Sequence, residues 1–71
     1  MKSGEARIQV NGNSQVVRLP CSVAQLLHQA GLKTTQVVVE YNGSVLPKTS
    51  LTERYLEEGD RLEVIVPVAG G

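Results

Sequence analysis

Alternating apolar and polar residues near the start of the chain predict two β-strands. The alternation runs over residues 7–10 and resumes over residues 15–19, and a period of two places every second side chain on one face of a sheet. Between the two segments, Asn11 and Gly12 tolerate the positive φ angles that a tight hairpin turn requires. We therefore expect an N-terminal β-hairpin that ends at Pro20, because proline cannot donate a hydrogen bond to a strand ladder.

The next segment carries the signals of a single α-helix. Ser22 is suited to the N-cap position, and Gln25 three residues later completes a capping box. Gly31 predicts a left-handed end to the helix, after which Leu32 can fold back onto Leu27. Apolar residues at i, i+3, i+4 and i+7 give this helix one apolar stripe, formed by Val23, Leu26, Leu27 and Ala30.

The second half of the chain predicts further strands. β-branched residues dominate positions 37–41, and Asn42-Gly43 then favours a turn into a short apolar segment. After an irregular stretch, the Glu-Gly-Asp sequence of residues 58–60 indicates a turn that leads into a last strand over residues 61–66.

This order of elements predicts the fold class. A hairpin, one helix and later strands indicate an α+β roll in which a mixed sheet of four to five strands packs on the helix. If the last strand pairs beside the first, the arrangement is the β-grasp, or ubiquitin-like, fold. Val66 is then expected to anchor the end of the last strand, and Pro67 cannot extend it. We accordingly predict a β-grasp domain over residues 1–66 and a flexible C-terminal tail over residues 67–71.

The composition of the 71 residues argues against several classes of function. Seven basic residues balance seven acidic ones, and neither Trp nor Phe is present, so the chain lacks the positive charge and the stacking side chains of a nucleic-acid binder. No apolar run reaches the length of about 18 residues that a membrane span needs, and no signal peptide follows Met1. We therefore expect a cytoplasmic protein with no nucleic-acid partner and no membrane association.

The residue types with potential reactivity are few. The single cysteine, Cys21, allows no internal disulfide, and the lack of paired Cys and His residues predicts no metal site. Cys21 directly precedes the N-cap, where a small apolar side chain packs on the helix, and a reactive thiol is the alternative. His28 lies opposite the apolar stripe and is expected to face solvent. Tyr41 and Tyr55 are expected to be half-buried anchors, and no combination of side chains predicts an enzyme.

Acidic residues are concentrated late in the chain. Five of the seven lie in one short stretch, at Glu53, Glu57, Glu58, Asp60 and Glu63. Such a run is commonly a solvated face, and a docking surface for a basic partner is the alternative. Alternation also places Ile65 on the face of the last strand opposite the core, which makes it an apolar candidate for partner contact. The candidate partner contacts are Ile65, Glu57, Glu58 and Asp60.

The last residues of the sequence offer a candidate reactive group. Glycine has no β-carbon, so a carboxylate on Gly71 behind Gly70 can pass through a narrow channel and be approached closely by a nucleotide or a nucleophile. A disordered terminus without chemistry is the alternative.

Three segments together resemble the ThiS-type sulfur carrier proteins of thiamine biosynthesis. They are residues 39–48 (VEYNGSVLPK), residues 58–64 (EGDRLEV) and the terminal Gly70-Gly71. The resemblance covers nearly the whole chain from Ile8 onward. Residues 67–69, which precede the glycines, are similar also to the small subunit of molybdopterin synthase, the MoaD family.

The ThiS resemblance implies a β-grasp protein that is a substrate of other enzymes and has no catalytic residues of its own. An E1-like adenylating enzyme would consume ATP to join the Gly71 carboxylate to AMP, and sulfur from a donor such as a cysteine desulfurase would then displace AMP. The resulting thiocarboxylate would supply sulfur to a thiazole synthase. Gly70, Ala69 and Val68 would present the terminus, and the resemblance implies no metal and no permanently bound cofactor.

Other functions share a tail of this kind. A MoaD-like subunit would use the same thiocarboxylate for molybdopterin synthesis. A ubiquitin-like modifier would join Gly71 to a lysine of a target protein, whereas a plain β-grasp binding module would tolerate the loss of both terminal glycines. The residues alone leave these alternatives open, because the same tail serves acyl transfer to sulfur or to nitrogen.

Overall fold

The computed structural model describes residues 3–68 of the protein. Within that range the chain forms five strands, one α-helix and two short 3₁₀ helices. The strands are β1 (Gly4–Val10), β2 (Asn13–Leu19), β3 (Val38–Tyr41), β4 (Ser44–Leu46) and β5 (Arg61–Ile65). The helix is α1 (Val23–Gln29), and the 3₁₀ helices are Thr34–Gln36 and Lys48–Ser50.

The strands of residues 3–68 join one sheet with the order β2-β1-β5-β3-β4. β1 and β5 run parallel, and the other neighbouring pairs are antiparallel. The last strand therefore enters the middle of the sheet, between the first strand and the third. This mixed sheet with one helix is the β-grasp, or ubiquitin-like, fold that the sequence predicts.

The hairpin of β1 and β2 is longer than its alternating pattern indicates. Pairing extends over Gly4–Val10 and Asn13–Leu19, beyond the predicted residues 7–10 and 15–19. The added positions are mostly polar, and ladder hydrogen bonds form between backbone groups whatever the side chain. Asn11 adopts a φ of 51°, as the predicted turn requires.

Both ends of α1 are closed by the predicted motifs. Ser22 Oγ accepts a hydrogen bond from the Gln25 backbone N–H (3.1 Å), and Gln25 Oε1 accepts one from the Ser22 N–H (2.8 Å). At the other end, the Leu32 N–H donates to the Leu27 carbonyl (2.9 Å), which is the outer bond of a Schellman motif. Gly31 supplies the left-handed residue of that motif, at a φ of 77°. No helix within residues 3–68 has the length and apolar character needed to cross a membrane.

One hydrophobic core lies between the sheet and α1. Val23, Leu26 and Leu27 of the predicted stripe are buried in it. Ala30 is exposed, and its assignment to the buried stripe is wrong, because α1 ends at Gln29 and Ala30 is already the C-cap. The other buried apolar residues come from the strands and connections: Ala6, Ile8, Val17, Leu19, Cys21, Val37, Val39, Leu51, Leu56 and Leu62.

The end of β5 differs from the prediction. The strand ends at Ile65, which pairs with Val38, the first residue of β3. Val66 is 54% exposed, so the prediction that it extends and anchors the last strand is wrong. No residue of β3 lies beyond Val38 to pair with it, and Pro67 has no N–H to donate.

The predicted division into a domain of residues 1–66 and a tail of residues 67–71 stays a prediction. Residues 66–68 belong to no helix or strand, and Val68 is 93% exposed. The predicted tail residues Ala69, Gly70 and Gly71 lie outside the described residues.

Candidate functional site

β5 carries the chain from the centre of the sheet to the candidate tail. β1 holds one edge of the strand through the pairs Gln9–Arg61 and Val10–Leu62, and β3 holds the other edge. Leu62 faces the core and is buried. Strands that are paired on both edges and buried on one face belong to the most stable parts of a fold. β5 is therefore a fixed base from which residues 66–68 leave the domain.

The turn before β5 is closed by the carboxylate of Asp60. Its Oδ2 accepts hydrogen bonds from the Tyr41 hydroxyl (2.6 Å) and the Glu57 N–H (2.8 Å), and its Oδ1 accepts one from Asn42 Nδ2 (3.2 Å). Asp60 is only 7% exposed. Because this carboxylate binds three donors of its own domain, the structure removes Asp60 from the candidate docking surface and gives it a structural role.

Tyr41 connects β3 to this turn. Burial, followed by the hydrogen bond to Asp60 and the negative charge of that carboxylate, raises the pKa of Tyr41 to about 12. The guanidinium carbon of Arg54 lies 5.3 Å from the centre of the Tyr41 ring, a distance at which cation–π attraction operates. Tyr41 is a half-buried anchor, as predicted, whereas Tyr55 is 40% exposed.

Asn42 binds the start of β5. It lies in the turn between β3 and β4, where its backbone N–H donates to the Arg61 carbonyl (2.8 Å). Its side-chain Oδ1 accepts a hydrogen bond from the Arg61 N–H (2.8 Å). The sequence identifies Asn42 as a turn former, with a φ of 49° in the structure, but it gives no local signal for these contacts.

Asn11 binds the far end of β5 from the opposite side. It lies in the turn between β1 and β2, and its backbone N–H donates to the Leu62 carbonyl (2.9 Å). Its side chain contacts both backbone groups of Val64: Oδ1 accepts from the N–H (2.7 Å) and Nδ2 donates to the carbonyl (3.3 Å). Sequence reasoning missed this contact, because the two residues are 53 positions apart.

Exposed apolar side chains lie beside the point where the chain leaves the sheet. Ile65 is 46% exposed, and its cross-strand partner Val38 is 37% exposed. Alternation places both on the sheet face opposite α1, and Val45 of β4, next to Glu40 in the register, lies on the same face. We call Val38, Val45 and Ile65 the outer apolar patch. The predicted exposure of Ile65 is confirmed, and its contact with a partner stays a prediction.

The acidic candidates are divided between two places. Glu57 and Glu58 are exposed in the turn before β5, and Glu58 Oε1 accepts a hydrogen bond from the Arg7 N–H (2.9 Å). Glu63 is exposed on β5, directly across from Glu40 of β3. Glu57 and Glu58 thus remain candidates for contact with a basic partner, at the opposite end of β5 from Ile65.

The residues with other potential chemistry are accounted for by the fold. Cys21 is buried in the core, and burial raises the pKa of its thiol. Because the thiolate is the reactive form, this position favours packing over reactivity. His28 is exposed, as predicted. Among residues 3–68, no group of three or more His, Cys, Asp or Glu side chains could hold a metal ion.

Comparison with protein families decides the assignment of this β-grasp domain. The model of the ThiS family matches residues 4–71. The chain belongs to the ThiS family. The ThiS-family chain is also similar to a solved structure, the thiamine biosynthesis protein ThiS from Geobacter metallireducens, with a TM-score of 0.77 and 28% identity over 92% of this chain and 99% of that one.

Two relatives extend the comparison. An uncharacterized protein, ycf40, from Pyropia yezoensis is 39% identical over 64 residues, which cover 90% of either chain. A thiazole synthase from Paramagnetospirillum magneticum is 29% identical over 65 residues, which cover 92% of the ThiS-family chain but only 20% of that protein. A stretch similar to this chain is therefore a small part of a much longer thiazole synthase.

A ubiquitin from Caldiarchaeum subterraneum shares the fold alone. The two structures have a TM-score of 0.55 and 18% identity, and the match covers 96% of the ThiS-family chain and 100% of the ubiquitin chain. The predicted resemblance to ThiS proteins is confirmed by the family match, and the chain is accordingly a small ThiS-family sulfur carrier of thiamine biosynthesis.

Proposed function

We propose that the carboxylate of Gly71 is adenylated by an E1-like enzyme and converted to a thiocarboxylate that donates sulfur for thiazole formation. The observation that carries this proposal is the position of β5. The strand is paired on both edges, and it leads directly to the exposed residues 66–68. The sequence then continues as Ala69-Gly70-Gly71 within the ThiS family match.

The chemistry follows from the low reactivity of a carboxylate towards nucleophiles. A Gly71 carboxylate oxygen attacks the α-phosphorus of ATP, the bond to pyrophosphate breaks, and the product is an acyl adenylate. The outer sulfur of the desulfurase persulfide attacks the acyl carbon, and AMP leaves with the original carboxylate oxygen. A thiol reductant then supplies two electrons that cleave the S–S bond, which leaves the thiocarboxylate on Gly71 and a thiol on the desulfurase. The carrier supplies no acid, base or metal to these steps. Its contribution is a terminus without β-carbons, which the enzyme can approach closely, on a base that is already ordered.

The proposed partners are an E1-like adenylating enzyme, a sulfur donor such as a cysteine desulfurase, and a thiazole synthase. The relative from Paramagnetospirillum magneticum supports the last of these, because a stretch similar to this chain lies within a thiazole synthase. Joining two modules in one chain raises the effective concentration of one at the other, which suits a carrier that delivers directly to the synthase.

We assign two surfaces to these transient partners. The outer apolar patch lies at the end of β5 from which the tail departs, so a protein docked there has the tail beside it. Glu57 and Glu58 at the other end of the strand offer negative charge to a basic partner. Complementary charge would accelerate the encounter and set its orientation. We place the protein in the cytoplasm, where ATP is available, with no permanently bound cofactor.

Intact-mass spectrometry tests the proposed chemistry. The purified protein is incubated with ATP, the adenylating enzyme, the cysteine desulfurase with its cysteine substrate, and a thiol reductant that releases the sulfur as thiocarboxylate. We expect a gain of about 16 Da, the difference between sulfur and oxygen, and fragmentation should locate it at Gly71. A variant without Gly71 and a reaction without ATP are the controls, and neither should gain mass.

The same preparation separates the alternative functions. Thiocarboxylate that is consumed by thiazole synthase supports the thiamine pathway, which family membership favours. Consumption only by the large subunit of molybdopterin synthase would support the MoaD-like alternative. Appearance of Gly71 only in lysine conjugates, without any sulfur-containing product, would replace the carrier with a protein modifier.

A further inference from the structure

β1 and β5 pair over a short distance. The parallel register contains Gln9 with Arg61 and Val10 with Leu62, after which β1 ends and the chain turns at Asn11. β5 continues to Ile65. The edge of β5 that faces β1 therefore continues past the last residue of β1 that could pair with it.

Asn11 fills this position with its side chain. The carbonyl oxygens of Asp60 and Leu62 accept from the N–H groups of Gln9 and Asn11 (2.9 Å each), and the next peptide groups on the same edge of β5 are those of Val64. The Asn11 carboxamide meets both of them, with Oδ1 accepting at 2.7 Å and Nδ2 donating at 3.3 Å. A carboxamide has the donor and the acceptor of a peptide group, so it continues the ladder by one step.

We propose that Asn11 is a positioning residue, which holds the end of β5 and thereby sets the direction in which the tail leaves the domain. The tail's role in sulfur transfer rests on the proposed function, whereas the hold on Val64 does not. The contact lies close to the exit, because Asn11, Val64 and Val66 line one groove of about 360 Å³ between β5 and the end of α1.

The need for such a residue follows from how few groups hold this end of the strand. On the edge that faces β3, the last pair is Val38 with Ile65, and Val66 belongs to no strand. Without the Asn11 carboxamide, the N–H and carbonyl of Val64 would face water and the strand end would be held from one edge only. Adenylation needs the terminal carboxylate aligned with ATP, and misalignment of about 1 Å can cost large factors in rate.

The chain contains a matched control for Asn11. Asn42 also precedes glycine in a hairpin turn, at a φ of 49° against 51° for Asn11, and its carboxamide also binds β5. It contacts Arg61, however, at the start of the strand rather than the end. The variants Asn11→Gly and Asn42→Gly keep the backbone conformation accessible. Each removes two side-chain hydrogen bonds: those of Asn11 to Val64, and those of Asn42 to Arg61 and Asp60. Asn11→Asp keeps an acceptor for the Val64 N–H and replaces the donor with a carboxylate oxygen, which cannot bind the Val64 carbonyl.

Amide hydrogen exchange measured by NMR tests the hold on Val64. In Asn11→Gly we expect the Val64 amide to exchange faster by a factor on the order of ten, as loss of one hydrogen bond implies. In Asn42→Gly the Val64 rate should match that of the wild type, and in Asn11→Asp it should lie between. If Asn11→Gly leaves the Val64 rate unchanged, the proposal is overturned.

Steady-state adenylation kinetics test the effect on the tail. Docking involves other residues, so Asn11→Gly should leave KM within about twofold while kcat falls roughly threefold to tenfold, because fewer docked molecules have an aligned tail. Asn42→Gly should leave both constants within about twofold of the wild type. Urea denaturation shows that each variant is folded under assay conditions, and Asn11→Asp provides the test if Asn11→Gly is not.

The outcomes separate this inference from the proposed function. Absence of wild-type adenylation refutes the proposed function, and exchange at Val64 still decides whether Asn11 holds the strand. If the wild type is adenylated and Asn11→Gly exchanges faster without any loss of kcat, Asn11 stabilises the strand end but does not position the tail, which overturns the proposal while leaving the sulfur-carrier function intact.

Discussion

At the scale of single residues, the Tyr41 hydroxyl and the Asp60 carboxylate join β3 to the turn before β5. Their hydrogen bond is 2.6 Å long, and Asp60 is buried. A hydrogen bond to a charged group contributes more than one between neutral groups. The pair therefore contributes measurably to the free energy of unfolding of a chain of only 71 residues.

Replacement of Tyr41 by Phe removes this bond and keeps the ring. We expect the free energy of unfolding at pH 7 to fall by about 1–2 kcal/mol, because Asp60 loses one of its donors. Urea denaturation followed by circular dichroism measures the change. The Tyr55→Phe variant is a matched control, since its side chain is more exposed, and it should differ little from the wild type.

The wild type and the Tyr41→Phe variant should also differ in how their free energy of unfolding depends on pH. Tyr41 has a pKa raised from 10.0 to about 12 in the fold, so its protonated form is favoured by folding. This stabilisation is fully present below pH 10 and is lost as the pH rises towards 12. The stability difference between the wild type and Tyr41→Phe should shrink across that window. A difference that stays constant from pH 9 to pH 12 would contradict the assignment.

Asp60 also shows what charge pattern alone fails to predict at this scale. It lies in a run of acidic residues and carries the same charge as the exposed Glu57 and Glu58. Its shorter side chain is nevertheless turned inward to three donors, two of which come from residues 18 and 19 positions away. Such long-range partners leave no trace in the local sequence.

At the scale of elements, the hairpin turns and the ends of α1 were predictable because their signals are local. The capping box needs only Ser22 and Gln25, and the left-handed end needs only Gly31. The end of β5 was not predictable in this way. It depends on where β3 begins, at Val38, and apolar character alone places Val66 inside the strand.

The capping box yields a prediction for α1. Ser22→Ala removes the acceptor for the Gln25 N–H, and we expect it to lower the free energy of unfolding by about 1 kcal/mol. Thermal and urea denaturation measure this loss. Ser14→Ala, an exposed position on β2, is the control and should be close to neutral. Equal losses for the two variants would show that the cap contributes nothing specific to this helix.

At the scale of the whole molecule, the fold places the outer apolar patch next to the exit of the tail. Ile65→Thr keeps a β-branched side chain on the strand and removes apolar surface that is already 46% exposed. We expect stability to change little and KM for the adenylating enzyme to rise about fivefold or more, as for an interface residue worth roughly 1 kcal/mol. Adenylation kinetics with purified enzyme measure this change.

A control for Ile65→Thr lies on the same sheet. Val16 of β2 is 55% exposed and pairs with Arg7 at the far edge from β3 and β4. Val16→Thr should leave KM unchanged. An equal rise in KM for both variants would move the docking site away from the outer apolar patch, and no rise for either would remove Ile65 from the partner contacts.

The whole fold could be predicted better than the candidate site. Element order and the ThiS resemblance led to the β-grasp arrangement, which family and structure confirm. The contacts that hold β5 were missed, because Asn11 and Asn42 are identified by the sequence only as turn residues. Their second role depends on which strand lies beside each turn, and that is settled by the closed sheet.

The parallel pairing of β1 with β5 also has a consequence for folding kinetics. The two strands come from opposite ends of the described chain, and the Asn11–Val64 contact spans 53 positions. Closing such a long loop is entropically costly and slows folding. We expect the hairpin and the capped helix to form early and the central gap in the sheet to be filled late. The folding step that completes the sheet then also secures the base of the tail, so a carrier that has not finished folding has no fixed strand from which to present its terminus to its enzymes.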